Sequence, residues 1–167
     1  NDAKGALLLE PNRSNLIPYS QDFTKSNWQT NGSIVKEGNT SDILALDGTQ
    51  SVGKLNYSGI GYLNEEFISI PSGSSSTYTI SFYLKGTVGE TLNSYMDTVA
   101  GDYIFSQTNI TLNGDWQRVS YSINTSANNV GINVVIRKQL SDTVNTVYIW
   151  GAQLEQGSYA TSYIPTQ

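Results

Sequence analysis

The sequence predicts an all-β domain built as a two-sheet antiparallel sandwich, and three observations support that fold class. Only 14% of the 167 residues are charged whereas 11% are aromatic, a composition that favours strands over helices. Short segments of alternating apolar and polar residues recur along the chain, separated by turns rich in Gly, Asn, Asp and Ser. No segment shows the 3.6-residue apolar period of an amphipathic helix.

The clearest strand covers residues 77–85. Its apolar side chains alternate with polar ones, so we expect one of its faces to be buried between the sheets. The inward row is Tyr78, Ile80, Phe82 and Leu84. The same reading predicts five further strands, at 91–97, 103–108, 117–123, 130–137 and 144–154.

The N-terminal part of the chain is less regular. Leu7-Leu8-Leu9 and Leu16-Ile17 are short apolar runs, which we interpret as strands lying beneath the sandwich. Asp22 to Trp28 is expected to form one helical turn or an irregular loop. No internal repeat or linker divides the sequence, so residues 1–167 are expected to form a single domain. Because the sequence opens on Asn1 rather than Met, we interpret it as a fragment of a longer protein.

Charge and composition exclude several kinds of partner and chemistry. The net charge is −5 and the nine basic residues are scattered, so no basic stripe is available to follow a nucleic acid backbone. No apolar run approaches 20 residues, so membrane insertion is not expected. The absence of His and Cys excludes the usual serine or cysteine triads and His-ligated metal sites.

Several segments resemble carbohydrate-binding modules of families 4, 9 and 22. They are Asn15-Leu16-Ile17 with Phe23 and Trp28, the strand at 76–85, the turn Asn113 to Gln117, and the last strand, Val147 to Glu155. The resemblance implies a jelly-roll sandwich that binds a polysaccharide or cell-surface glycan and catalyses nothing.

A narrower resemblance covers nearly the whole chain. Residues 8–16, 19–23, 150–155 and 158–166 look like domains of bacteriophage tail-fibre and related structural proteins. It implies a receptor-recognition domain of a virion tail fibre or extracellular protein, in a parent that could be a homotrimer. Such domains also occur in secreted polysaccharide-degrading enzymes, so a module appended to such an enzyme is the alternative.

The resembling modules often hold a structural calcium ion beside paired aspartates in the last strand. This chain has Trp150-Gly151 there, and Thr24 where a glutamate commonly follows the phenylalanine. We therefore expect no cofactor, with calcium left as an open alternative. The candidate oxygen ligands are Asp22, Asp47 and Asp142.

Sugars bind to aromatic rings and to planar polar groups that form two hydrogen bonds at once. Outward side chains of the predicted strands are therefore the candidate ligand-binding residues: Tyr83, Lys85, Tyr95, Arg118, Asn133 and Arg137. They share one surface if their strands belong to one sheet, which we assume from jelly-roll topology. Cations beside tyrosines favour an acidic glycan. The alternative is that these residues are ordinary solvated ones.

The three tryptophans are expected to be structural. Trp28 and Trp116 lie at strand or loop margins, where tryptophan commonly covers a hydrophobic core. Trp150 lies in a segment that is apolar on both faces, so we expect it to be buried on both sides, covered by residues 159–165. Glu10, Arg13 and Glu155 are expected to pair where the two ends of the chain meet.

Two other functions remain open at this stage. A polysaccharide lyase could use Tyr83 and Lys85 with Arg118 or Arg137, although no pair of carboxylates with glycosidase spacing stands out. A fibre spacer or trimerisation unit without ligand would place outward apolar residues such as Val135 against a neighbouring subunit.

Overall fold

The structure is a computed structural model that describes residues 10–167. In that range it contains strands and turns without any helix, and therefore no helix able to cross a membrane. The strands are β1 (Trp28–Glu37), β2 (Gly53–Ser69), β3 (Ser76–Gly86), β4 (Thr91–Val99), β5 (Phe105–Thr111), β6 (Gln117–Thr125), β7 (Gly131–Lys138) and β8 (Thr146–Gln156). The strand predicted at Leu7-Leu8-Leu9 lies outside the described residues.

The strands form one antiparallel sheet that folds over into two layers. Strand β2 belongs to both layers, because Gly53–Asn56 pairs with β8 whereas Gly61–Ser69 pairs with β7. We call the layer β6-β3-β8-β2 the β3 sheet and the layer β2-β7-β4-β5 the β4 sheet. β1 runs along β2 through both layers. At the far edge, Ser106 Oγ of β5 donates a hydrogen bond to the Ser122 carbonyl of β6 at 2.7 Å, which almost closes the sandwich.

The core lies between the inner faces of the two sheets. The predicted inward row of β3 is confirmed, since Tyr78 is 1% exposed and the other three members are fully buried. Across the core they pack in one cluster with apolar side chains of the opposite sheet, Leu92, Met96, Ile132, Val134 and Ile136. The two-sheet antiparallel sandwich is therefore confirmed.

Strand prediction succeeded where the alternation was regular and failed elsewhere. The six strands predicted between residues 77 and 154 are present as β3 to β8, with ends within three residues of those expected. β1 was not predicted, because only Trp28 and Ile34 of its ten residues are buried. β2 was missed because Gly59 and Gly61 interrupt its alternation.

Leu16-Ile17 does not form the strand that was expected. The backbone bond from the Leu16 amide to the Leu154 carbonyl, at 2.8 Å, does not extend into a strand ladder. The Asn15 side chain adds to it, since its Nδ2 donates to the carbonyls of Ala152 and Ile164, both at 3.0 Å. Its Oδ1 accepts from the Ile17 and Leu154 amides. Residues 22–27 form a run of turns, in agreement with the irregular loop that was one of the two expectations, and Trp28 begins β1.

The C-terminal segment, residues 157–167, crosses the outer face of the β3 sheet. The Ile164 amide donates to Gln153 Oε1 at 2.6 Å, and the Thr161 amide donates to Glu155 Oε2 at 3.0 Å. Both acceptor side chains are fully buried. The segment therefore serves as an additional layer on this side of the sandwich.

Residues 10–13 meet the C-terminal segment, but not through the expected ion pairs. Glu10 accepts hydrogen bonds from the amide and hydroxyl of Ser162, each at 3.0 Å. Arg13 donates to the carbonyl of Tyr159 and lies over its ring, with Cζ 4.3 Å from the centroid. Glu155 is instead held by Thr161 and Gln153. Neutral donors therefore take the place of the predicted ionic partners at both the exposed Glu10 and the buried Glu155.

Candidate functional site

The six predicted ligand-binding residues are divided between two outer surfaces. Tyr83, Lys85 and Arg118 lie on β3 and β6, whereas Tyr95, Asn133 and Arg137 lie on β4 and β7. Strands β2 and β8 separate the two groups, and the inner faces of the two sheets pack against each other. The assumption that all six share one surface is wrong, because alternation identifies an outward side chain without identifying its sheet. None of the six is sealed between the layers.

Three of the predicted residues lie together on the outer surface of the β4 sheet. Tyr62, Arg137 and Asn93 form one cross-strand row, and Asn133, Asp97 and Phe105 form another. Between these rows, Tyr95 pairs with Gln107. We call this surface, defined by these eight residues, the β4–β7 face: Tyr62, Asn93, Tyr95, Asp97, Phe105, Gln107, Asn133 and Arg137.

Arg137 is held in a fixed position across Tyr95. Its Cζ lies 4.5 Å from the centroid of the Tyr95 ring. Its Nε donates to Asn93 Oδ1 at 2.9 Å, and its Nη2 donates to Gln107 Oε1 at 3.3 Å. Both acceptors are neutral amide oxygens, so the positive charge is oriented without being cancelled by a carboxylate.

Tyr95 is part of an aromatic surface. Its ring centroid lies 5.2 Å from that of Phe105, which is 41% exposed, and Tyr103 just before β5 is 71% exposed. Partial burial, followed by the charge of Asp97, raises the pKa of the Tyr95 hydroxyl. The hydroxyl therefore remains protonated at neutral pH and can donate a hydrogen bond.

A strained aromatic residue lies at one end of this surface. Phe67 has a φ of +56° at the bulge where the register of β2 shifts, a left-handed conformation that is costly for a bulky residue. Its amide donates to Asn133 Oδ1, while Asn133 Nδ2 donates to Asp97 Oδ1, both at 2.9 Å. A Cβ at Gly131 would lie 3.0 Å from the Phe67 ring, so glycine makes room for it. The ring remains 52% exposed.

On the opposite side of the molecule, Arg118 contacts both the C-terminal segment and the Tyr83 ring. Arg118 Nη2 donates to Ser81 Oγ at 2.9 Å and to the Thr161 carbonyl at 2.6 Å, with Cζ 5.5 Å from the Tyr83 ring. Trp150 packs between Tyr83 and Tyr163, at centroid distances of 5.3 and 4.7 Å. The prediction that Trp150 is buried on both sides is confirmed, since it is 5% exposed.

The other two tryptophans are also packed against apolar residues. Trp28 is 1% exposed and belongs to the main core. Trp116 packs instead in the smaller cluster around Trp150, on the outer side of the β3 sheet.

Val135 does point outward but is only 4% exposed, with Tyr95 and Asn64 as its register partners. It is therefore covered within the chain and offers no surface for a neighbouring subunit.

Sequence reasoning missed several members of the β4–β7 face. Tyr62 was missed because β2 was not assigned. Phe105 and Gln107 could have been found, since they alternate with Ile104 and Ser106 in a strand that was predicted. Phe67, which lies at one end of the face, could not be identified from the sequence, because no sequence pattern in this chain marks the backbone bulge that exposes its ring.

The candidate calcium ligands do not fit a metal site. Within residues 10–167, no three acidic, His or Cys side chains converge. Asp22 accepts hydrogen bonds from the amide and hydroxyl of Thr24, and the hydroxyl contact, opposed in part by burial, lowers the pKa of Asp22. Asp47 accepts likewise from Thr49, and Asp142 accepts from the Gln139 amide at 2.8 Å. Each aspartate therefore caps its own turn.

Comparison with known proteins relies on structure alone, since no protein-family model and no curated protein matches the chain. The family 22 xylan-binding domain of Xyn10C from Paenibacillus barcinonensis superposes with a TM-score of 0.62 at 13% identity, over 91% of this chain and 100% of that one. A family 61 module solved with β-1,4-galactotriose gives 0.60 at 15% identity, over 86% of this chain and 99% of that one. The fold is the jelly roll of carbohydrate-binding modules.

Proteins with catalytic activity contain the same jelly roll. Tailspike protein 4 of bacteriophage CBA120, solved as its enzymatically active domain, matches with a TM-score of 0.64 at 13% identity. The match covers 85% of this chain but 21% of the tailspike, so the chain spans about a fifth of that structure. A cyclase from Fischerella sp. matches with a TM-score of 0.57 at 13% identity, over 90% of this chain and 100% of that one. Identities this low establish the shared jelly roll and nothing about its ligand.

Proposed function

We propose that this domain is a non-catalytic glycan-binding module and that its ligand lies along the β4–β7 face. The observation that carries the proposal is the Arg137 guanidinium, which two amide side chains hold across the partly exposed Tyr95 ring. An aromatic surface bordered by oriented planar groups suits the two kinds of surface that a sugar offers, its C–H faces and its hydroxyl edges.

The arrangement of the face favours binding because its groups are already fixed. A sugar ring would stack on Tyr95 and Phe105, while its hydroxyls bond to Gln107 and to the Asp97–Asn133 pair. These side chains are held by contacts within the chain, so little rotamer entropy is lost when a ligand binds. The modules with the same fold that bind xylan or galactotriose support a polysaccharide or cell-surface glycan as the ligand.

The face supports binding rather than hydrolysis. Glycosidases use two carboxylates, whereas Asp97 is the one carboxylate among the eight residues that define the face. The lyase set with Arg137 is dispersed, because Arg137 lies on the opposite side from Tyr83 and Lys85. The Arg118 guanidinium is bonded to the C-terminal segment.

Tyr95→Ala is expected to weaken retention on the cognate glycan at least tenfold, a loss of about 1.4 kcal/mol or more. The melting temperature should change little, because the ring lies outside the main core. Tyr159→Ala is the matched control, since that ring is 53% exposed and belongs to the C-terminal segment, away from the β4–β7 face. A glycan array identifies the ligand, and affinity electrophoresis compares the variants. Equal retention by wild type and Tyr95→Ala would reject the face as the binding site.

Tyr83→Ala is expected to behave differently from Tyr95→Ala, although the sequence placed both tyrosines among the candidate ligand-binding residues. Tyr83 packs on Trp150 beneath the C-terminal segment, so its removal should lower the melting temperature while leaving glycan retention intact. The paired result is measured by thermal unfolding and electrophoresis on the same preparations. Loss of retention without loss of stability would move the binding site to the β3 sheet.

For the parent protein, we propose a phage tail fibre or related extracellular surface protein, in which this domain recognises the receptor. The tailspike match supports this context. The alternative is a module attached to a secreted polysaccharide-degrading enzyme, which the xylan-binding domain of Xyn10C supports. Light scattering on the isolated domain tests the homotrimer. A stable trimer without any signal on a glycan array would favour a structural fibre element instead.

A further inference from the structure

The outer surface of the β3 sheet contains a cleft of about 460 Å³ where the C-terminal segment leaves the strands uncovered. It lies on the side of the sandwich opposite the β4–β7 face. We call it the β8 cleft, and its lining residues are Lys54, Asn56, Lys85, Gly86, Thr87, Thr146 and Tyr148. Its volume falls within the range of about 300–1,000 Å³ typical of small-molecule sites and is far larger than a bare anion requires.

The strand register places two ammonium groups on either side of a phenol ring. Tyr148 of β8 pairs with Lys54 of β2 on one side and with Lys85 of β3 on the other. Asn56 pairs with Thr146 in the next row, and Thr146 Oγ1 donates to Asn56 Oδ1 at 2.9 Å. This contact fixes the amide and leaves its Nδ2 without a partner among the described residues.

The two lysines differ in how their charge is balanced. Lys54 Nζ lies 2.5 Å from Asp42 Oδ2, and Glu37 is its register partner in β1. The Tyr148 hydroxyl also donates to Asp42, at 3.2 Å. Within residues 10–167, by contrast, no carboxylate lies within ion-pair distance of Lys85. Lys85 therefore supplies the uncompensated positive charge of the cleft, at the wall farthest from the two acidic residues.

We propose that the β8 cleft is a second saccharide site, which takes a sugar residue bearing a carboxylate. The Tyr148 ring offers a stacking surface, the Asn56 amide offers hydrogen-bond donors for hydroxyls, and Lys85 binds the carboxylate. A neutral sugar would leave the Lys85 ammonium unpaired in a partly enclosed site, so the cleft discriminates in favour of the acid. This site is independent of the β4–β7 face, and either can exist without the other.

The test uses trigalacturonate and its methyl ester as probes, because the pair differs in charge while keeping the same sugar ring. We expect trigalacturonate to shift the backbone amide signals of Lys54, Lys85 and Tyr148 in nuclear magnetic resonance titrations. The methyl ester should bind at least tenfold more weakly. Lys85→Gln should lose at least tenfold in affinity for the acid, whereas Lys138→Gln, which removes the same charge from β7, should retain it.

Three results would overturn the proposal. They are equal affinity for acid and ester, unchanged affinity in Lys85→Gln, and signal shifts confined to the β4–β7 face. Titration of Tyr95→Ala separates this proposal from the proposed function. If Tyr95→Ala still binds trigalacturonate, the result supports the β8 cleft, whether or not the β4–β7 face binds a glycan. Lost binding in that variant, with Lys85→Gln unaffected, assigns the acidic ligand to the β4–β7 face instead.

Discussion

Replacing Trp150 with alanine is expected to lower the free energy of unfolding by about 3–5 kcal/mol, the range for removing a large buried aromatic side chain. The indole is 5% exposed and packs between Tyr83 and Tyr163, and its Nε1 donates to Ser51 Oγ at 3.0 Å. Its removal should also loosen the C-terminal segment. Urea unfolding followed by tyrosine fluorescence or circular dichroism measures the loss.

Trp150→Phe is the matched control, because phenylalanine keeps a ring between Tyr83 and Tyr163 while giving up the Ser51 hydrogen bond and part of the indole packing. Its loss of stability should be clearly smaller than that of Trp150→Ala. If the alanine variant unfolds at the wild-type urea concentration but loses glycan retention, then the indole is part of a binding surface. That outcome would contradict the packing role assigned to it.

Stability is expected to fall as the pH rises from about 5 to about 8, because a carboxyl group is buried at the edge of the core. Glu65 is 4% exposed, and its Oε2 accepts a hydrogen bond from Asn27 Nδ2 at 2.7 Å. Burial, reinforced by the charge of Glu66 and opposed by the Asn27 contact, raises the pKa of Glu65 from 4.5 to about 7. The folded protein therefore retains a proton that the unfolded chain releases.

The sign and size of the effect follow from that difference. The stabilising contribution of Glu65 is fully present below its unfolded pKa of 4.5 and is lost as the pH rises through about 7. The loss amounts to at most about 3.5 kcal/mol, at roughly 1.4 kcal/mol for each unit of pKa. Asp22 has its pKa lowered, so its contribution changes only at more acidic pH.

Glu65→Gln removes the titration and keeps an oxygen that can accept from Asn27. The variant should therefore melt at a higher temperature than wild type at pH 8, with a much smaller difference at pH 5. Glu37→Gln is the control, since it removes an exposed carboxylate from the end of β1 opposite to Trp28, the register partner of Glu65. Thermal unfolding in a series of buffers measures the profiles. Parallel profiles for wild type and Glu65→Gln would show that Glu65 is ionised in the folded state.

The sequence predicted the burial of individual side chains better than it predicted their neighbours. The alternation in residues 77–85 separated Ile80 and Phe82 from Tyr83 correctly, because a strand exposes opposite faces in turn. Nothing in that alternation says which strands hydrogen-bond to one another. Tyr83 and Tyr95 were therefore both correctly read as outward, yet they lie on opposite sides of the molecule.

Other parts of the site depend on contacts between residues distant in sequence. Arg137 is oriented by Asn93 and Gln107 from two other strands, and no local pattern contains that information. Outside the site, the Leu16-Ile17 segment was predicted to be a strand because it is apolar. It is held instead by Asn15, whose side chain bonds to groups more than 130 positions away. The burial of Trp150 was predictable because its segment is apolar on both faces.

The passage of β2 through both layers has a mechanical consequence. In a sandwich of two separate sheets, a load that pulls the layers apart is resisted by side-chain packing and by the connecting loops. Here a single backbone of 17 extended residues is hydrogen-bonded into both layers, and β1 is paired with it along most of that length. Separating the layers must therefore unzip β2 from β7 or from β8, which breaks a ladder of backbone hydrogen bonds as well as the packing between the sheets.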